Sequence, residues 1–146
     1  MLQVYKDVAI TLNTAEGVEM KQLELKKTKA LLKALKDRAK VNGWTGRIIL
    51  VGSNHKSWCS VKYTIETGGR PKEVFYEPKH INCLTKPHLH ILLEEAKPNT
   101  AITKYINDYW TKREGKGTTH FSKVYDKQGY IEYMDMQASF KRVSDL

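Results

Sequence analysis

The chain has 146 residues, 40% of them hydrophobic and 10% aromatic, enough to pack one core and not the composition of a disordered tail. Its 25 Lys and Arg against 16 Asp and Glu give a formal charge of +9, which makes phosphate polyanions, nucleic acid above all, the leading partner class. Two cysteines, Cys59 and Cys83, outside any Cys-x-x-Cys pair, argue against a disulfide scaffold, and no apolar run approaches the ~18 residues of a membrane span.

The start, "MLQVYKDVAITLNT", lacks the basic and apolar regions of a secretory signal. A single globular unit over residues 1–146, cytoplasmic and without membrane contact, is therefore expected. In "DVAITLNT", Val8, Ile10 and Leu12 alternate with Ala9, Thr11 and Asn13, the pattern of a strand with one side buried. From Glu19 to Lys40, Met20, Leu23, Leu31, Ala34 and Leu35 recur at helical spacing, and "VNG" at 41–43 supplies a stop. Lys26, Lys27, Lys29, Lys33 and Lys36 suit either a phosphate-facing stripe or the solvated side of that helix.

"GRIILVG", "CSVKYTIETGG", "KEVFYEP" and "PHLHILLEE" follow as strand-like runs with glycine punctuation, although residues 54–58 fit no clear element. Next, Ile102, Tyr105, Ile106, Tyr109 and Trp110 mark an amphipathic helix behind an Asn99 or Thr100 cap. "THFSKVYD" reads as a short strand. It leads into "GYIEYMDMQASFKRV", where Tyr130, Tyr133, Met134, Gln137 and Ala138 share one helical face. The order predicts an α+β fold, a central antiparallel sheet with flanking helices.

The run "KPHLHILLE" places His88 and His90 one residue apart at the head of three aliphatic residues. On a strand, residues i and i+2 face the same way about 6.6 Å apart, so two imidazoles can reach one divalent cation while Leu89 points into the opposite layer. The same residues also suit a hydrogen-bonded core histidine beside a surface one. A structural zinc site that adds Cys59 and Cys83 is a further alternative, and His55, His80 and His120 read as surface or hydrogen-bonded residues. Trp44, Trp58 and Trp110 read mainly as core, with Trp58 in "SNHKSWCS" also able to stack on an unpaired base.

"ITLNT", "PHLHILL" and "YMDMQ", in that order, resemble the three motifs of the HUH endonuclease family, which includes rolling-circle replication initiators, conjugative relaxases and single-tyrosine transposases. The resemblance covers most of the chain. It implies a Rep-like fold in which His88 and His90 hold Mn2+ or Mg2+ and a tyrosine cleaves one DNA strand, leaving a 5'-phosphotyrosine and a free 3'-hydroxyl. An ordinary phenol is barely ionised at neutral pH, so such an attack needs a polarised phosphate, which a divalent ion can provide.

Tyr133 and Tyr130 are both candidate nucleophiles. In single-tyrosine relatives a glutamine four residues after the nucleophile completes the metal site, and Gln137 stands so to Tyr133, about 6 Å along the helix axis against about 10.5 Å from Tyr130. The resemblance thus implies Gln137 as third ligand and favours Tyr133. The lysine that many initiators carry three residues after the tyrosine is Met136 here, with Lys123 or Lys141 as substitutes, and the strand "GRIILVG" ends in Val51 and Gly52 where many relatives have a glutamate ligand. The expected activity is nicking and rejoining of single-stranded or hairpin DNA by a plasmid or phage replication initiator, with unwinding left to another protein, such as a host or phage helicase, or to a region outside this sequence. The alternatives are a dimeric single-tyrosine transposase and a non-catalytic basic DNA-binding module.

Overall fold

The computed structural model describes residues 7–59, 62–65, 72–75 and 79–146, with side chains described within 7–54 and 85–146. In β1 (Asp7–Asn13) Ile10 and Leu12 are fully buried and Ala9, on the other face, is buried too, so the strand is covered on both sides. Helix then runs without a break through α1 (Met20–Gln22), a π-helical stretch (Leu23–Thr28) and α2 (Lys29–Asn42). The wider π turn brings Leu23 and Thr28, five residues apart, to the same buried side, after which Leu31, Leu35 and Ala39 continue at α spacing. Gly43 ends α2 at a φ of 70°, a left-handed conformation that a Cβ would oppose.

The remaining elements are β2 (Thr45–Cys59), β3 (Lys62–Ile65), β4 (Lys72–Phe75), β5 (Lys79–Lys97), α3 (Asn99–Glu114), β6 (Thr119–Lys123), α4 (Lys127–Gln137) and β7 (Phe140–Asp145). Contacts divide the chain into two units, Met1–Asn54 with Lys86–Leu146, and His55–Thr85. In the second unit β3 and β4 pair antiparallel as a two-stranded sheet. The main sheet has the order β6-β1-β5-β2-β7 and is antiparallel, which gives the chain its α+β class.

Helices cover both faces of this sheet. On one, Ile10, Leu12, Ile48, Leu50, Leu89, Ile91 and Leu93 pack with Leu31 and Leu35 of α2 and with Ile102, Ile106 and Trp110 of α3. On the other, Ile49, Val51 and Leu92 pack with Met134 of α4, flanked by Tyr130 and Ile131. Among the described residues no helix is long and apolar enough to cross a membrane.

Two local expectations need correction. The N-cap of α3 is Pro98, extended at φ −79° and ψ 127°, with no side-chain cap bond, so Asn99 and Thr100 lie inside the first turn. The final stretch is not one helix: α4 stops at Gln137, Ala138 turns extended, and residues from Phe140 form β7 against β2. Ala138 therefore leaves the face it was expected to share with Tyr130 and Tyr133. What pulls the chain away is the sheet edge. Ser139 N–H donates to the Gly52 carbonyl at 2.7 Å, and the Phe140 ring lies so close over Gly52 that a Cβ there would sit 2.1 Å from it.

Candidate active site

Alternation along β5 decides which side chains meet. Leu89, Ile91 and Leu93 enter the α2/α3 core, while His88, His90 and Leu92 face α4. β1 pairs with β5 so that Thr11 lies opposite His90 and Asn13 opposite His88. α4 closes this face, tied at its first residue by an ion pair between Lys127 and Glu94 and capped by the Asp126 carboxylate, which accepts from Gly129 N–H at 3.0 Å. Its last turn delivers Gln137.

Three polar atoms converge there. His88 Nε2 and His90 Nε2 are 3.1 Å apart, and His90 Nε2 lies 3.3 Å from Gln137 Oε1. All three residues are buried, at 7%, 6% and 4% exposure. The Nδ1 atoms face outward from this cluster. His88 Nδ1 is 2.9 Å from the Lys86 carbonyl oxygen, which can only accept, so Nδ1 carries the proton and Nε2 presents its lone pair inward. His90 Nδ1 is 3.4 Å from Thr11 Oγ1.

The set fits a first-row divalent ion. Ligands about 2.1 Å from a cation stand about 3.0 Å apart at a right angle and about 3.4 Å apart at a tetrahedral one, the range in which both distances from His90 Nε2 fall. Gln137 turns its oxygen toward the imidazoles and leaves its own buried Nε2 without a hydrogen-bond partner, an orientation that serves a cation better than it serves hydrogen bonding. No cluster of three or more His, Cys, Asp or Glu side chains suited to a metal occurs among the described residues, so this donor set is two imidazoles and an amide, with no carboxylate or thiolate among them. Burial, then the neighbouring His88, pulls the His90 pKa down to about 4, only partly offset by Gln137, which keeps the ring neutral as a ligand must be.

Tyr133 is the phenol beside this cluster. Its ring centroid is 5.6 Å from that of His90 at an interplanar angle of 72°, and the residue is 39% exposed, so it meets both the buried donors and solvent. Tyr130 is 6.2 Å from Tyr133 and packs on the Ile49–Val51–Leu92–Met134 cluster. Burial, and secondarily Tyr133, raises its pKa well above the ordinary phenol range. Of the two tyrosines, the sequence-favoured one is the accessible one.

The remaining candidates separate cleanly. Lys141 shares the α4 face of the sheet with Val51 and pairs with Asp135 at 2.9 Å. Lys123 pairs in register with Val8, on the α2/α3 side of the sheet, so it is not brought to the histidines. His120 lies opposite Thr11 on β6 and is exposed. Trp110 is core, its Nε1–H donating to the Asn13 carbonyl at 2.6 Å, and Trp44 packs edge-on to Tyr105 at the core margin. The side chains of Cys59, Cys83, His55, His80 and Trp58 lie outside the described residues.

Sequence reasoning missed the support around the site. Thr14 Oγ1 donates to the Pro87 carbonyl at 2.6 Å, and Glu114, buried at the end of α3, accepts from Ala15 N–H at 2.8 Å while pairing with Lys27. The first bond ties the segment after β1 to the residue preceding His88, and the second ties it to the end of α3. The clue lay in "ITLNT", but the partner of each threonine depends on strand register, which a single sequence does not display. In comparisons with known proteins, no family model, no curated protein and no solved structure matches the chain.

Proposed function

We propose that the protein is a metal-dependent endonuclease of the HUH type that nicks and rejoins single-stranded or hairpin DNA through Tyr133. The observation that carries this reading is the approach of His88 Nε2 and Gln137 Oε1 to within 3.3 Å of His90 Nε2, with the half-exposed Tyr133 ring at the edge of the cluster. His88, His90 and Gln137 would hold the ion, and two nitrogen donors out of three favour Mn2+ over Mg2+. When bound, the ion supplies charge withdrawal at a non-bridging phosphate oxygen. Three neutral ligands leave its charge uncompensated, a deficit that a phosphodiester fills.

In the step itself the Tyr133 oxygen forms a bond to phosphorus, the bond from phosphorus to the 3'-oxygen breaks, and the proton lost by the phenol is balanced by the one gained by the 3'-hydroxyl. One ester replaces another, so a 3'-hydroxyl end can reverse the reaction, which suits replication initiation more than degradation. The net charge of +9 supports a polyanionic substrate. The test is incubation of the full chain with Mn2+ and a pool of labelled single-stranded oligonucleotides, followed by a denaturing gel. A covalent adduct that maps to Tyr133 is expected; oligonucleotide binding with no adduct under any divalent ion would replace this reading with that of a DNA-binding module.

A further inference from the structure

Thr11 touches His90 in a way that the motif reading does not use. It sits directly opposite His90 across the β1–β5 ladder, and its Oγ1 is 3.4 Å from Nδ1. On the other side of the same ring, Nε2 faces two atoms: the His88 Nε2 lone pair at 3.1 Å and Gln137 Oε1 at 3.3 Å. Both of these are acceptors, because the Lys86 carbonyl fixes the His88 proton on Nδ1. Without a cation, His90 satisfies them only by carrying its proton on Nε2, which leaves Nδ1 bare and in need of a donor. With a cation among the three atoms, His90 must turn its Nε2 lone pair inward and carry the proton on Nδ1, which then needs an acceptor.

A hydroxyl meets both demands, since it has a hydrogen to give and lone pairs to receive. A carbonyl, such as the one that serves His88, meets only the second. We infer that Thr11 is a positioning residue for the metal site: its hydroxyl donates to His90 in the empty site and accepts from it in the loaded one, so the ring keeps its orientation through the tautomer change. The inference rests on the proposed metal site and adds the reason that one histidine is held by a carbonyl and the other by a hydroxyl. Outer-sphere partners of this kind typically change metal affinity by about 10 to 100-fold when removed.

The test uses the full chain, titrated with Zn2+ and with Mn2+ by calorimetry, alongside Thr11→Val and Thr11→Ser. Thr11→Val is expected to raise the Kd for Zn2+ about tenfold or more, and Thr11→Ser to restore it to within about threefold of the unsubstituted chain. Equal affinity in the valine and threonine proteins overturns the inference while leaving the metal site standing. If the unsubstituted chain takes up neither ion, the metal reading fails, and this one with it. Long-range 1H–15N correlation spectra of the imidazoles provide a check that needs no substitution: the His90 proton should reside on Nε2 in chelator and on Nδ1 with Zn2+. A proton on Nδ1 in both states would overturn the two-way role.

Discussion

Tyr130 and Tyr133 are three residues apart on one helix, yet their surroundings give them different prospects. Burial raises the Tyr130 pKa and packs its ring into the α4 core, whereas Tyr133 meets solvent beside His90. Tyr133→Phe should abolish the covalent DNA adduct with little change in oligonucleotide affinity, and Tyr130→Phe should retain the adduct; both are read on the same denaturing gel. A second residue-scale expectation concerns acid. The folded His90 pKa of about 4 lies below the ordinary 6.5, so the unfolded chain binds more protons between those values. The associated stability is present above about pH 6.5 and is lost as the pH falls toward 4. In chelator, urea unfolding should show the protein about 1–2 kcal/mol less stable at pH 5 than at pH 7, and His90→Gln should flatten that dependence.

Among the elements, α4 and β7 show where sequence patterns inform and where they fail. The period of the amphipathic helices around Leu31–Leu35 and Ile102–Trp110 is set by a broad buried face, and it is readable because many apolar residues repeat it. β7 carries a single well-buried anchor, Phe140, beside an exposed Val143 and charged and polar residues at the sheet edge, so nothing in "FKRVSD" outweighs the helical pattern that precedes it. The π-helical stretch was likewise invisible, because five-residue spacing between Leu23 and Thr28 becomes meaningful only once both are seen to be buried. Of the candidate site, strand alternation put His88 and His90 on one face and the family resemblance pointed to Gln137, and the structure brings the three together; the supporting threonines were not legible, since they depend on how β1 registers against β5. The docking of β7 rests on the absence of a side chain at Gly52. Gly52→Ala should therefore push Phe140 off β2 and cost about 1–3 kcal/mol, measured as a lower urea midpoint, with Phe140→Leu in the same background recovering part of the loss.

For the molecule as a whole, charge and layering act together. The net charge of +9 should make DNA affinity fall steeply with salt, giving a linear log–log plot whose negative slope counts the phosphates neutralised. A flat plot, measured by fluorescence anisotropy between 50 and 300 mM salt (about a sixfold span, wide enough to resolve several released counterions), would argue against phosphate-directed binding. The two faces of the main sheet are covered unequally. Large apolar residues fill the α2/α3 side, while among the described residues the α4 side carries one short helix, held by Met134 in its core, by Lys127–Glu94 at one end and by Gln137 at the other.

The cluster draws Thr11 from near the beginning of the chain, His88 and His90 from its middle and Gln137 from close to its end, with Ser139 and Phe140 securing the last of these against β2. Pairing of β1 with β5 sets the two imidazoles beside Thr11, but the amide oxygen joins them only where β7 docks on β2 and fixes the end of α4. The placement of the three polar atoms is thereby coupled to strand pairing at the sheet edge, so loosening that edge is felt by side chains it never touches.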